Sequence, residues 1–317
     1  MRPAFSVIFF TVTSGCGYGL LFLLGLVLAI HPDSINRIDA LIPLGTGAAL
    51  VGAGLLSSTL HLGQPQRAWR AFSQWRTSWL SREGVASVAG FVPIIALVWC
   101  LWRGADADVL QALGVLLAVL AAVTVVCTAG IYTSLKAIPA WRNAYVLPGY
   151  VLTGLLGGAS WSWLIGAWSG GAHAQPALMA ALAIASSALK FFYWRFIDTA
   201  PAASTPESAT GLGRFGRVRS VEAPHTEENY LTHEMGFVLA RKHATRLRWI
   251  SLMLIGAVPA ILATCVDLSQ SSAFAVACAT LAALCVTAGL FVERWLFFAQ
   301  AKHVVMLYYG GTRPHHV

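Results

Sequence analysis

Eight apolar stretches, separated by polar connections, dominate the pattern of this chain. They lie at residues 5–30, 39–60, 84–102, 109–133, 145–168, 176–197, 249–267 and 272–296. Each is long enough to cross the hydrocarbon core of a bilayer as a helix, which takes about 20 residues. The pattern therefore predicts an all-α integral membrane protein, a bundle of eight transmembrane helices that forms a single domain over residues 1–317.

The positively charged residues lie almost entirely on one side of the predicted spans. Except for Arg37, Arg103 and Lys190, all of the 21 Lys and Arg residues fall in or next to the N-terminus, the even-numbered connections or the C-terminus. By the positive-inside rule that side faces the cytoplasm. We therefore expect a multi-pass protein of the bacterial inner membrane with both termini cytoplasmic.

The composition agrees with a membrane protein and changes how the net charge is interpreted. Apolar residues make up 57% of the chain and charged residues 11%, with a mean hydropathy of +0.68. Soluble domains carry about 25% charged residues. The net charge of +8 is explained by the topology and by attraction to anionic membrane lipid, so nucleic acid is not an expected partner.

The cysteines and histidines argue against a metal or haem centre in this chain. An iron–sulfur cluster or a zinc site needs clustered thiolates, and the sequence has no Cys-x-x-Cys pair. A membrane haem needs axial histidines at membrane depth, and none of the nine histidines lies in the middle of a span. We expect the cysteines to be small buried apolar residues: Cys16, Cys100, Cys127, Cys265, Cys278 and Cys285.

The interior of the predicted bundle holds few charges. Lys190 lies about two turns from the cytoplasmic end of its span, so we expect its side chain to reach the interface. A small-solute transporter is the alternative from another class, but transporters usually carry ionisable groups near the midplane, and the interior predicted here is nearly free of them. Small residues at helix-packing spacing, Ala48/Gly52 and Gly154/Gly158, predict close helix contacts.

The segment 198–248 is the longest polar stretch. It begins with a flexible composition rich in Ala, Pro, Ser and Thr, and residues 232–248 have the spacing of an amphipathic helix. Two interpretations stay open and are compatible with each other. The segment is either an interfacial helix on lipid headgroups or a docking arm for a soluble partner.

The candidate chemistry lies between the second and third spans. His61 ends the second and Glu83 opens the third, so both lie at one membrane boundary. Reduction of a lipid quinone moves two electrons and two protons, and it needs groups that exchange protons beside an apolar slot. We predict a quinone site of His61 and Glu83, with Arg76, Trp79 and Arg82 as neighbours. A plain interfacial segment, with Arg82–Glu83 as a helix-start pair, is the structural alternative.

Three motifs carry a resemblance to a known family. Residues 59–69, Thr-Leu-His-Leu-Gly-Gln-Pro-Gln-Arg-Ala-Trp, and 78–83, Ser-Trp-Leu-Ser-Arg-Glu, resemble the signature of the dimethyl-sulfoxide-reductase membrane-anchor family (DmsC type). Residues 131–141 and 293–298 are similar to further parts of it, and so is the layout of eight spans. The resemblance covers most of the chain.

The resemblance implies an anchor subunit without metal or haem of its own. Such a subunit holds an iron–sulfur protein with four clusters and a molybdopterin catalytic subunit, and it exchanges electrons with ubiquinone or menaquinone. The family's quinone-site histidine and glutamate fall on His61 and Glu83. Segments 198–248 and 294–310 look most like the anchors of cytoplasm-facing sulfite dehydrogenases, which implies quinone reduction with electrons from sulfite. A quinol-oxidising anchor of a DMSO or related reductase is the alternative.

Overall fold

The secondary structure is helical throughout the described part of the chain. The computed structural model describes residues 4–34, 37–60, 62–170, 175–201, 204–219, 221–222, 243–267 and 272–308. The helices are α1 (Phe5–Ile30), α2 (Arg37–Thr59), α3 (Trp79–Arg103), α4 (Ala107–Thr133), α5 (Val146–Ser169), α6 (Pro176–Thr199), the short α7 (Pro206–Thr210), α8 (Ala244–Leu252 and Val258–Asp267, continuous through a π turn at Met253–Ala257) and α9 (Ser272–Ala299).

Seven helices in these described ranges have the length and hydropathy of a membrane span, namely all the long ones except α5. The protein is therefore an all-helical, multi-pass membrane protein.

Helix α5 has 24 residues, but glycine, serine and tryptophan lower its hydropathy. It runs beside α1 in the same direction, with Gly154 next to Gly15 and Gly158 next to Gly19. Its membrane crossing, the eighth, stays a prediction.

The start of α3 differs from its predicted position. The helix begins at Trp79, five residues before the apolar run, because Ser78 caps it: the Ser78 hydroxyl accepts a hydrogen bond from the Ser81 N–H at 3.4 Å. Polar residues are common in a first helical turn, so hydropathy alone places such a start too late. As a result, Glu83 lies one turn inside the helix rather than at its first residue.

Helix α1 occupies the centre of the bundle and contacts α2, α4, α5 and α9. Its contact with α5 is backbone against backbone, since a Cβ atom on Gly158 would lie 2.1 Å from the carbonyl carbon of Gly19. The predicted packing role of Gly154/Gly158 is thus confirmed. The role predicted for Gly52 is wrong, because a Cβ atom there would meet nothing within 4 Å. Spacing defines a stripe of small residues, but not the helix that covers it.

The segment 198–248 is described only in part. Thr205 and Ser208 form a capping box at the start of α7. The Glu207 carboxylate accepts a hydrogen bond from the Val218 N–H at 3.1 Å, and backbone N–H donors, its own first, hold the pKa of this carboxyl below its usual value. In the stretch predicted to be amphipathic, residues 232–242 lie outside the described residues, and residues 244–248 form the first turn of α8.

Candidate functional site

The connection between α2 and α3 exposes arginines and aromatic rings together. Residues Pro65–Gln74 form a 3₁₀ helix, in which Trp69 is 66% exposed. The Phe72 ring packs on the backbone of α3, where a Cβ atom on Gly84 would lie 3.2 Å from it. Tryptophan and arginine are the side chains that settle at the headgroup level of a bilayer. The segment therefore has the character of an interfacial strap fixed to the start of α3.

Arg82 joins this strap to the helix. Its guanidinium donates hydrogen bonds to the carbonyl oxygens of Arg76 (2.7 Å) and Trp75 (3.0 Å). The same guanidinium lies 4.5 Å from the centre of the Trp79 ring, a cation–π distance. Of the predicted site residues, the structure thus brings Arg76, Trp79 and Arg82 together. Arg82 uses these donors on backbone carbonyls, and the described residues show no ion pair between Arg82 and Glu83. Both residues lie at the start of α3, so the alternative of a plain interfacial segment stays a prediction.

Glu83 points the other way, into the bundle. It is 4% exposed, and its carboxylate accepts a hydrogen bond from the Thr128 hydroxyl of α4. Trp79 and Glu83 are four residues apart, so they share one face of α3. That face packs on the end of α4, where a Cβ atom on Gly130 would lie 2.6 Å from the Trp79 ring. The two predicted site residues are therefore neighbours at the α3–α4 contact.

The Thr128 hydroxyl allows the Glu83 carboxyl to change its protonation state. Its oxygen lies within hydrogen-bond distance of Glu83 and also 3.0 Å from the Thr124 carbonyl oxygen. A hydroxyl has one proton to donate and can also accept. When Glu83 is ionised, Thr128 donates to it; when Glu83 is protonated, Glu83 donates and Thr128 turns to Thr124. Neither state leaves the buried carboxyl unpaired.

His61, the other half of the predicted site, lies outside the described residues. The helix before it ends at Thr59, and Leu60 and Leu62 on either side of it are exposed. The pairing of His61 with Glu83 therefore stays a prediction.

A buried ionic cluster at the same end of the bundle was missed by sequence reasoning. Lys190 of α6 is 3% exposed and forms an ion pair with Glu293 of α9. The expectation that Lys190 reaches the interface is therefore wrong, because a buried carboxylate on the neighbouring helix holds its ammonium group. The sequence does contain a signal for this cluster. Glu293 and Arg294 lie inside an apolar run, and ionisable residues within membrane spans seldom lack a partner.

Arg294 connects this cluster to α5. Its Nη2 atom donates to the Thr153 hydroxyl at 2.8 Å, and its guanidinium lies 3.8 Å from the centre of the Tyr150 ring. The Nη1 atom is 3.5 Å from Glu293 Oε2, and neither atom has a hydrogen-bond partner among the described residues. The cluster thus fixes α5, α6 and α9 to one another through charge and hydrogen bonds.

The described ranges hold no group of three His, Cys, Asp or Glu side chains that could bind a metal ion. The six cysteines are free thiols. Cys16, Cys127 and Cys278 are buried, as expected of small core side chains, whereas Cys100, Cys265 and Cys285 are only partly buried, so the expectation is wrong for these three.

The sequence matches the model of a family described as DMSO reductase anchor subunit (DmsC) over residues 1–300. The chain belongs to this family. Membership of a membrane-anchor family agrees with the seven long apolar helices found among the described residues. It also disfavours the transporter interpretation, because the family is one of membrane anchors of molybdoenzymes.

Three curated relatives are similar to this DmsC-type protein. The C subunit of sulfite dehydrogenase from Allochromatium vinosum is 31% identical over 98% of this sequence and 100% of its own length. The C polypeptide of the anaerobic dimethyl sulfoxide reductase of Escherichia coli K12 is 30% identical over 37% of this sequence and 41% of its own length. The YnfH polypeptide of an anaerobic dimethyl sulfoxide reductase from the same organism is 27% identical over 48% of this sequence and 54% of its own length.

Proposed function

We propose that this DmsC-type anchor passes electrons between the iron–sulfur clusters of a partner subunit and membrane quinone. His61 and Glu83 exchange the protons, while Arg76, Trp79 and Arg82 border the quinone ring. The observation that carries the proposal is the Glu83–Thr128 pair, a buried carboxyl that can gain or lose a proton without losing its hydrogen bond. It lies beside an aromatic side chain and an interfacial strap, where a lipid-soluble carrier is accessible.

The chemistry required of these residues is modest. Quinone becomes quinol by taking up two electrons, which the partner's clusters supply, and two protons, one for each oxygen. Glu83 and His61 each give a proton to an oxygen and regain it afterwards. Trp79 offers an apolar face to the ring. The Arg82 guanidinium is a fixed positive charge within one helical turn.

The substrate of the catalytic partner follows from the relatives rather than from this chain. We infer sulfite oxidation coupled to quinone reduction, because the sulfite dehydrogenase relative aligns over nearly the whole of this sequence and all of its own. The complex then contains an iron–sulfur subunit with four clusters and a molybdopterin catalytic subunit. Quinol oxidation for a DMSO or related reductase is the second candidate, favoured by the two partial matches from Escherichia coli.

We further propose eight membrane crossings in a single domain, both termini in the cytoplasm and the soluble subunits on that side. The charge asymmetry of the sequence and the parallel run of α5 with α1 support this arrangement. Segment 198–248 then acts as a docking arm at the lipid surface. Deleting residues 204–230 should release the soluble subunits from membranes, and full retention would contradict this role.

The quinone site is tested in the assembled complex with His61→Ala and Glu83→Ala. Each change should abolish quinone reduction while leaving reduction of a soluble dye at the catalytic subunit intact. Asp108→Ala, at an exposed carboxyl in the first turn of α4 and at the opposite end of the bundle, is the control and should change neither rate. If both site variants reduce quinone at the wild-type rate, the chain is a purely structural anchor.

A further inference from the structure

A small cavity lies between the Glu83 site and the buried ionic cluster. Helices α1, α4, α5 and α9 line it, and its volume is about 20 Å³. Two of its walls carry the groups described above: Thr128, which is hydrogen-bonded to Glu83, and Arg294. The other hydroxyl-bearing residues of its lining are Thr11, Ser14, Tyr18, Tyr150 and Thr153.

The cavity has the size and lining of a water site. A volume of roughly 10–15 Å³ holds one water molecule, provided that the water finds two to four polar partners. The lining hydroxyls supply such partners. Arg294 lines the cavity, and its buried Nη1 atom is without a hydrogen-bond partner in the described part of the protein. A buried donor of this kind is usually satisfied by an ordered water.

The charges around this cavity balance only when Glu83 is ionised. The buried charged residues in the described ranges are Glu83, Lys190, Glu293 and Arg294. Glu293 pairs with both Lys190 and Arg294, so these three residues together carry one net positive charge. Tyr132 of α4 stacks on Tyr150 at 5.5 Å, and the Arg294 guanidinium lies 3.8 Å from the centre of the Tyr150 ring.

We propose that Arg294 is a positioning residue for the quinone reaction, and that its charge balances the Glu83 carboxylate across a water held in the cavity. This inference rests on the proposed function, because it assumes that Glu83 exchanges a proton with quinone. As Glu83 gives its proton to a quinone oxygen, the net charge of the four buried charged residues falls from one positive charge to zero. When Glu83 is protonated again, the net positive charge returns.

The inference is tested by charge rescue in the assembled complex. Arg294→Gln leaves one negative charge too many when Glu83 is ionised, so quinone reduction should fall about tenfold, a usual coupling between interacting residues. Adding Glu293→Gln restores the charge balance and should recover most of the lost rate. The pair Lys190→Met with Glu293→Gln removes two opposite charges and should stay near the wild-type rate.

Controls separate this charge effect from simple loss of structure. Arg103→Gln removes an exposed guanidinium that lies 5.0 Å from the centre of the Trp99 ring, at the far end of α3 from Glu83, and should not slow quinone reduction. Dye reduction by the complex reports assembly in every variant. The infrared band of the Glu83 carboxyl, assigned by its loss in Glu83→Gln, should shift in Arg294→Gln but not in Arg103→Gln.

Three outcomes decide the matter. Rescue by the double change, with the shifted carboxyl band, supports the inference. An assembled Arg294→Gln complex with unchanged quinone reduction and an unchanged band overturns it, as does a double variant that is slower than the single one. Should Glu83→Ala itself leave quinone reduction intact, the proposed function fails instead, and this failure is recognised without any Arg294 variant.

Discussion

Among the individual residues, the Thr128 hydroxyl determines what the Glu83 carboxyl can do. A buried carboxyl without a partner is costly in either protonation state. Thr128 reduces that cost in both states, because it can donate to the carboxylate or accept from the acid while turning to the Thr124 carbonyl oxygen. A side chain that keeps its shape but lacks the hydroxyl would remove this property alone.

We therefore expect Thr128→Val to slow quinone reduction roughly tenfold or more, since a hydrogen bond to a charged group contributes about 1.5–3 kcal/mol. Thr124→Val is the matched control: Thr124 is also buried on α4, but its hydroxyl donates to the Leu120 carbonyl oxygen, at 2.8 Å, and not to Glu83. The measurement is the ratio of quinone reduction to dye reduction in the assembled complex. Equal ratios in the two variants would exclude Thr128 from the reaction.

Among the helices, the glycines of α1 and α5 fix the centre of the bundle. The two helices approach so closely at Gly19 and Gly158 that their backbones touch. Lipid offers little hydrophobic driving force between helices, so van der Waals contact of this kind supplies much of their association. The position of Tyr150 and Thr153 beside Arg294 depends on it, because both residues lie on α5.

Gly158→Ala is expected to destabilise the protein by about 1–3 kcal/mol, the usual cost of an overpacked core. The added methyl group would lie 2.1 Å from the Gly19 backbone, which cannot move aside as a side chain can. Gly52→Ala makes the same chemical change on α2, where nothing lies within 4 Å, and should be neutral. The melting temperature of the detergent-solubilised complex distinguishes the two, and equal melting temperatures would contradict this packing.

Across the molecule as a whole, the Glu83–Thr128 pair, the strap and the buried ionic cluster lie at one end of the bundle. Glu83 is close to the start of α3, Thr128 to the end of α4 and Arg294 to the end of α9. Neighbouring helices that run in opposite directions bring the start of one and the end of the next to the same level. Under the proposed function, proton exchange, the strap and segment 198–248 share one membrane face, where a soluble electron donor would dock.

The membrane topology is tested by reporter fusions. A periplasm-active reporter fused after Val317 should be silent, because the positive-inside rule predicts a cytoplasmic C-terminus. Fusions after Arg142 and after Gly170 flank α5 and should report opposite sides of the membrane. The same side for both would remove the eighth crossing, and an active C-terminal fusion would reverse the orientation.

Hydropathy and motif spacing were enough to establish the helical membrane fold, the family and the residues of the strap. Apolar runs of this length have one stable form in lipid, a helix that satisfies its own backbone, so periodicity and length sufficed. Small-residue spacing identified Gly154 and Gly158 as packing residues, and motif spacing predicted Glu83 as a site residue.

Only the packed bundle shows which residues face one another across helices. Lys190 and Glu293 are more than a hundred residues apart in the chain, and nothing local distinguishes a lysine that reaches the interface from one that pairs inside. Likewise, nothing local in the sequence indicates that Thr128 meets Glu83 or that Arg294 meets Thr153. Such partners depend on helix rotation and depth, which long-range packing sets, whereas hydropathy records only that a segment enters the membrane.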